Sequence, residues 1–181
     1  MAIKTFTTGE VLTASDTNTY LANSGQVLVK SQTVGSGVTS VTVTSAFSAD
    51  YDAYQIVATN VAASSNGVIT LQLTGITTGY YGNLIYANFA NGAPLSAGYN
   101  NVSNVGHAGG TNSLIATLNV EVINPFLAKA KYITSHFIDN ANAGVVQVYN
   151  SQTTSATGFV IQAAFGTLTG GQITVYGYRK G

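Results

Sequence analysis

From Gln26 onward the chain alternates apolar and polar side chains with a period of two. "QVLVKSQT" (26–33) and "GVTSVTVTSAF" (37–47) are rich in Val and Thr, and the Gly35-Ser36-Gly37 turn separates them. "YQIVATNVA" (54–62) and "GVITLQLTG" (67–75) flank a hairpin turn; in the second, Ile69, Leu71 and Leu73 alternate with Thr70, Gln72 and Thr74. "SLIATLNVEVI" (113–123) places Leu114, Ala116, Leu118, Val120 and Val122 on one face. "KYITSHFID" (131–139), "GVVQVYNS" (144–151), "GFVIQAAF" (158–165) and "GQITVYGYR" (171–179) continue the series, each bounded by Gly, Asn, Ser or Thr. Short strands at this spacing predict an all-β domain over 26–181: an antiparallel β-sandwich, jelly-roll-like, of roughly eight to ten strands.

The first 25 residues follow another rule. In "TFTTGEVLTASDTNTYLANSG" (5–25), Thr13 is placed as an N-cap, Asp16 holds the capping-box position three residues on, and Gly25 lies beyond the far end. The pattern predicts a short helix over Ala14 to Ala22, and isolated helices of that length are marginal in water. Its apolar side chains, Phe6, Val11, Leu12, Tyr20 and Leu21, are too few for a core of their own. A peptide of this kind reads as a docking element that orders on packing against a partner. Packing on its own sandwich or on a sister subunit is the other reading.

One long interruption, 75–112, holds Tyr80, Tyr81, Tyr86, Phe89, Tyr99 and His107 among many Gly and Asn. Tyr mixed with Gly, Ser and Asn suits adaptable recognition, because the ring offers large contact area at low entropic cost. Such rings can stack on the apolar face of a sugar, so Tyr80, Tyr81, Tyr86, Tyr99 and His107 are candidate contacts to a host-surface glycan. The alternative is that "NLIYANF" is a further strand and the tyrosines are core.

Composition narrows the function. Only 7% of the 181 residues are charged, and six basic side chains balance six acidic ones, against about 25% charged residues in an ordinary soluble domain. Scattered charge gives no basic stripe for phosphates, so nucleic-acid binding is not expected. A free monomer with so little charge is poorly soluble, which points to a surface covered by other protein. There is no cysteine, hence no disulfide or thiolate metal site. "MAIKTFTTGE" lacks the apolar segment of a signal peptide, and no stretch has the ~18 apolar residues of a membrane span.

The chemistry of a typical enzyme is also missing from the sequence. His107 and His136 are far apart, and neither an H-E-x-x-H nor an EF-hand pattern occurs. There is no G-x-S-x-G elbow, P-loop or G-x-G-x-x-G motif. Asp50 and Asp52 read as a strand-entry turn, and Glu121 with Asp139 are the acids a glycosidase would have to bring together. No catalytic residue, metal or cofactor is expected.

"FTTGEVLTASDTNTYLANSG" resembles the opening segment of many small virion proteins of tailed bacteriophages. "INPFLAKAKYITSHF" (123–137) and "GFVIQAAFGTLTGGQITVYGYRKG" (158–181) are similar to the closing strands of the same proteins. The resemblance implies a non-enzymatic structural protein of the virion, made in the host cytoplasm, and it carries no catalytic residues. It further implies that residues 1–25 attach to other virion proteins and that the sandwich is displayed, as a homotrimer. A short tail fibre or fibre knob contacting the host receptor is the leading expectation. A capsid decoration or head-fibre protein is the alternative, and a carbohydrate-binding module without a virion role is the third.

Overall fold

The computed structural model describes residues 7–16 and 25–180. Among these residues fourteen strands follow one another: β1 (Gln26–Thr33), β2 (Ser40–Val43), β3 (Tyr51–Thr59), β4 (Ala62–Ala63), β5 (Gly67–Leu73), β6 (Tyr80–Asn88), β7 (Pro94–Val102), β8 (Val105–Thr111), β9 (Ala116–Ile123), β10 (Lys131–Ile138), β11 (Asn142–Asn150), β12 (Phe159–Ala163), β13 (Leu168–Thr169) and β14 (Gln172–Arg179). Twelve are hydrogen-bonded into one continuous antiparallel system; β4 and β13 form a separate short pair. The all-β sandwich expected from the period-two pattern is the observed architecture.

The two layers share β9. Its first residues, Ala116 to Leu118, pair with β8 and belong to a layer ordered β2-β12-β5-β8-β9. Residues Asn119 to Ile123 pair with β3 on one side, and Val120 to Ile123 pair with β10 on the other. They belong to a larger layer ordered β1-β14-β3-β9-β10-β11-β6-β7. Between the layers lies a single apolar core, with Tyr54, Ile56, Val120, Ile133 and Val146 from the large layer and Val43, Leu71, Phe159 and Ile161 from the small one. Alternation is close to strict in β9 and β10, where every second residue is buried, as a half-buried strand requires.

Two features fit the layers around β9. Gly109 and Gly110 lie in β8 where backbones approach closely: a Cβ at Gly109 would sit 2.1 Å from the Thr117 carbonyl oxygen, and one at Gly110 would sit 2.0 Å from that of Ile138. Buried Ser135 of β10 directs its hydroxyl to the carbonyls of Ala108 and Asn119, tying β10 to β8 and β9 where the layers separate.

The segment 75–112, expected as a long interruption, forms β6, β7 and β8. The reading that made "NLIYANF" a strand is the one the fold follows. At the N-terminus the capping box is present: the Thr13 amide donates to Asp16 Oδ2 at 3.1 Å, and the Asp16 amide donates to Thr13 Oγ1 at 3.1 Å. Among the described residues the helix covers Ala14–Asp16 alone, so the helix expected to Ala22 is not supported, and 17–22 lie outside the described residues.

Candidate binding surface

The large layer has one face on the core and one in solvent, and strand register aligns the outward side chains into rows. Tyr81 pairs with Tyr149, Tyr149 with Tyr132, and Tyr132 with Ile123. The row continues through Ala53 and Tyr178 to Gln26, where the chain enters β1. The three tyrosines point outward because their strand neighbours Tyr80, Ile133 and Val148 point inward. They are 37%, 52% and 41% exposed for Tyr81, Tyr132 and Tyr149. The Tyr132 and Tyr149 rings have centroids 5.6 Å apart and are tilted by 49°. With Thr134, Gln147 and Gly82 they line a groove of about 350 Å³.

The next row is polar: Asn83, Gln147, Thr134, Glu121 and Gln55 follow one another across β6, β11, β10, β9 and β3. At one end the amides are committed, since Gln26 Nε2 donates to Gln55 Oε1 at 2.6 Å and Gln55 Nε2 to Asn119 Oδ1 at 3.0 Å. Nearer the tyrosines, the side chains of Asn83, Gln147 and Thr134 have no hydrogen-bond partner among the described residues. They are open to an external donor or acceptor.

The five residues expected to contact a glycan do not converge. Tyr80 is fully buried. Its hydroxyl accepts from the Leu73 amide at 2.9 Å and donates to the Ile76 carbonyl at 3.2 Å, and burial pushes its pKa up to about 12. It is a core residue and out of reach of a ligand. The period of two sends its neighbour Tyr81 to the opposite face. The His107 and Tyr86 rings meet Phe137 edge-on at 5.5 and 6.1 Å, the Tyr99 ring lies 6.4 Å from that of His107, and Tyr86 and Tyr99 pack against the core. Of the five, Tyr81 alone joins the outward row. Tyr132 and Tyr149, its partners, carry no signal in the linear sequence, because only the register of β10, β11 and β6 aligns them.

Tyr99 and His107 form a defined pair. Burial pushes the Tyr99 hydroxyl pKa up to about 12, and the hydroxyl is hydrogen-bonded to His107 Nδ1 at 2.9 Å, with the donor set by the tautomer of the ring. Burial lowers the His107 pKa, and the Asp139 carboxylate offsets this in part. A lowered folded value means that the unfolded chain binds the proton more readily. The stability contribution is therefore complete above the ordinary value of 6.5 and is lost as pH falls below it. Urea denaturation at pH 7 and pH 5 should show lower stability at pH 5, and His107→Gln should flatten that difference.

The acids are accounted for locally. Asp139 accepts from the amides of Ala141 and Asn142 at 2.7 and 2.8 Å, closing the β10–β11 turn. Glu121 pairs with Thr134, five residues up β10 from Asp139, so the two carboxylates are on the order of 15 Å apart, beyond glycosidase spacing. Asp50 accepts from the Ser48 hydroxyl at 2.9 Å, and Asp52 forms an ion pair with Lys180 at 2.9 Å. No group of three or more potential metal ligands occurs among the described residues, and none of their helices is long and apolar enough to cross a membrane.

Of the residues expected to attach the chain, Val11 and Leu12 are 79% and 48% exposed. Phe6, Tyr20 and Leu21 lie outside the described residues. At the end of the sandwich opposite Gln26, Leu114, Ile115 and Phe165 are also exposed. Asn112 Oδ1 accepts from the amides of Leu114 and Ile115 at 2.8 and 3.0 Å and fixes that turn. No known protein family, curated protein or solved structure matches the chain.

Proposed function

We propose that the chain is a non-enzymatic structural protein of a bacteriophage particle, a short tail fibre or fibre knob held by residues 1–25 and displaying its sandwich towards the host. The observation that carries this reading is the division of labour along the chain. The β1 ladder begins only at Gln26, and Val11 and Leu12, in the segment before it, expose apolar side chains to solvent. Exposed apolar side chains on a segment outside the sandwich ladders suit a contact made on assembly. The sequence resemblance at both ends supports the same role, and a surface this poor in charge supports self-association as a closed homotrimer.

Deleting residues 1–25 is the test. The 26–181 chain should stay close to the urea midpoint of the 1–181 chain, since β1 is kept whole and the described backbone bond lost is the one from the Arg179 amide to the Gly25 carbonyl, yet fail to enter particles when co-expressed with the other virion components. Leu12→Asp should reproduce the assembly defect without a change in midpoint. Normal incorporation of the truncated chain rules out the N-terminal anchor.

A capsid decoration or head-fibre role is the second reading. It is favoured by the apolar tip of Leu114, Ile115 and Phe165 at the far end, which would give a head lattice a second contact. Labelled protein located by electron microscopy separates the two: many copies over the head for decoration, few at the tail for a fibre.

A further inference from the structure

We propose that the outward row of Tyr81, Tyr149 and Tyr132 is a stacking platform for a neutral oligosaccharide, held by hydrogen bonds from Asn83, Gln147 and Thr134. The inference rests on the host-contact part of the reading above and names its site and ligand class.

Three observations lead to a sugar. First, the rings sit on three adjacent strands, whose spacing of ~4.8 Å makes the row roughly 10 Å long, about the length of a disaccharide. Aromatic faces of that extent match the apolar faces of successive pyranose rings. Second, the hydrophobic row is bordered at one residue pair's remove by side chains that are polar, uncharged and unpartnered among the described residues. Amides and hydroxyls in that state supply the donors and acceptors that sugar hydroxyls need, whereas a protein partner favours an apolar centre. Third, the charge at the site points to a neutral ligand. Glu121 stands beside Thr134 on the polar row, and the lysine next to Tyr132 is turned inward: Lys131 is buried with its Nζ on three backbone carbonyls. A carboxylate at the edge of the platform repels sialylated or phosphorylated sugars, and Lys131 cannot compensate.

The 181-residue chain contains no tryptophan, so its intrinsic fluorescence comes from its eleven tyrosines, the three of the platform among them. Titration calorimetry and tyrosine fluorescence with maltotetraose, cellotetraose and mannotetraose should show binding of at least one of them, and weaker binding of 3′-sialyllactose. Tyr132→Ala with Tyr149→Ala should weaken the neutral ligand by about tenfold or more, the loss of one to two aromatic contacts, with melting temperature and oligomeric state unchanged. Glu121→Gln should narrow the gap between neutral and sialylated probes. The inference is overturned if none of the three tetrasaccharides binds at millimolar concentration, or if the double variant binds as tightly as the parent. A double variant that changes oligomeric state overturns it by making the face a contact between copies of the chain. Absence of sugar binding by a chain that still enters particles removes the platform and leaves the virion role standing. Sugar binding by a chain that never enters particles does the reverse.

Discussion

Gly110→Ala should lower the stability of the protein by about 3 kcal/mol or more, among the largest effects expected of a single methyl group at any described position. The added Cβ would lie 2.0 Å from the Ile138 carbonyl oxygen and 2.5 Å from its carbon. Both are backbone atoms of β10, so no side-chain rotation relieves the clash. The carbonyl also accepts from the Thr117 hydroxyl at 2.9 Å, so displacing it breaks a second contact, in the strand that both layers share. Overpacking of well-packed sites costs up to about 3 kcal/mol and occasionally more, from a total stability of about 5–15 kcal/mol. Circular dichroism and urea denaturation provide the measurement. Gly98→Ala on β7 is the control: nothing lies within 4 Å of its Cβ, and its midpoint should stay within about 0.5 kcal/mol of the parent. A folded Gly110→Ala protein with parental stability would mean that β8 and β10 are further apart than described.

Lys131→Met should lower the melting temperature by roughly 6–12 °C, about 3 kcal/mol at this chain length. The side chain is buried, and its ammonium donates to the carbonyls of Lys129, Gln152 and Thr154 at 2.7, 2.8 and 2.6 Å. Backbone dipoles balance the charge here; burial alone pulls the pKa below the usual lysine value. Methionine preserves the shape and removes all three donors, leaving two loops that meet at this end without their common tie. Part of that loss is offset because a charge no longer needs to be desolvated. Lys129→Met, at an exposed position two residues earlier, should leave the melting temperature unchanged. Equal stability of both variants would show that the three carbonyls find other partners.

The two variants also show where the sequence was legible and where it was not. Alternation of apolar and polar residues identified β5, β9, β10, β11, β12 and β14, because one side of each is buried and a period of two survives. β7 was not legible: "PLSAGYNNV" is largely exposed on both faces, so burial imposes no alternation on it. β8 was hidden for the opposite reason, since "VGHAGGT" uses glycine where backbones touch and glycine reads as a turn. At the candidate surface, Tyr80 and Tyr81 were separable in principle once the segment was a strand, because adjacent residues face opposite ways. Tyr132 and Tyr149 were not, as they are 17 positions apart and meet only through register. The capping box at Thr13 and Asp16 was fully local and formed as read, although the helix beyond it is described for one turn only.

The pairing of β1 with β14 bears on how the molecule is made. Ser31 and Gln172 are hydrogen-bonded yet separated by 141 positions, so a ribosome adding about 5–20 residues per second leaves β1 waiting for roughly 7–28 s before its partner exists. Throughout that interval Val27, Leu28 and Val29 present an unpaired ribbon, with Lys30 its single charge. Neighbouring nascent chains on one messenger carry the same ribbon at the same time. A charged side chain in an unpaired strand disfavours edge-to-edge pairing, and Lys30 is the one charge this ribbon holds against strand exchange between neighbouring chains until β14 exists.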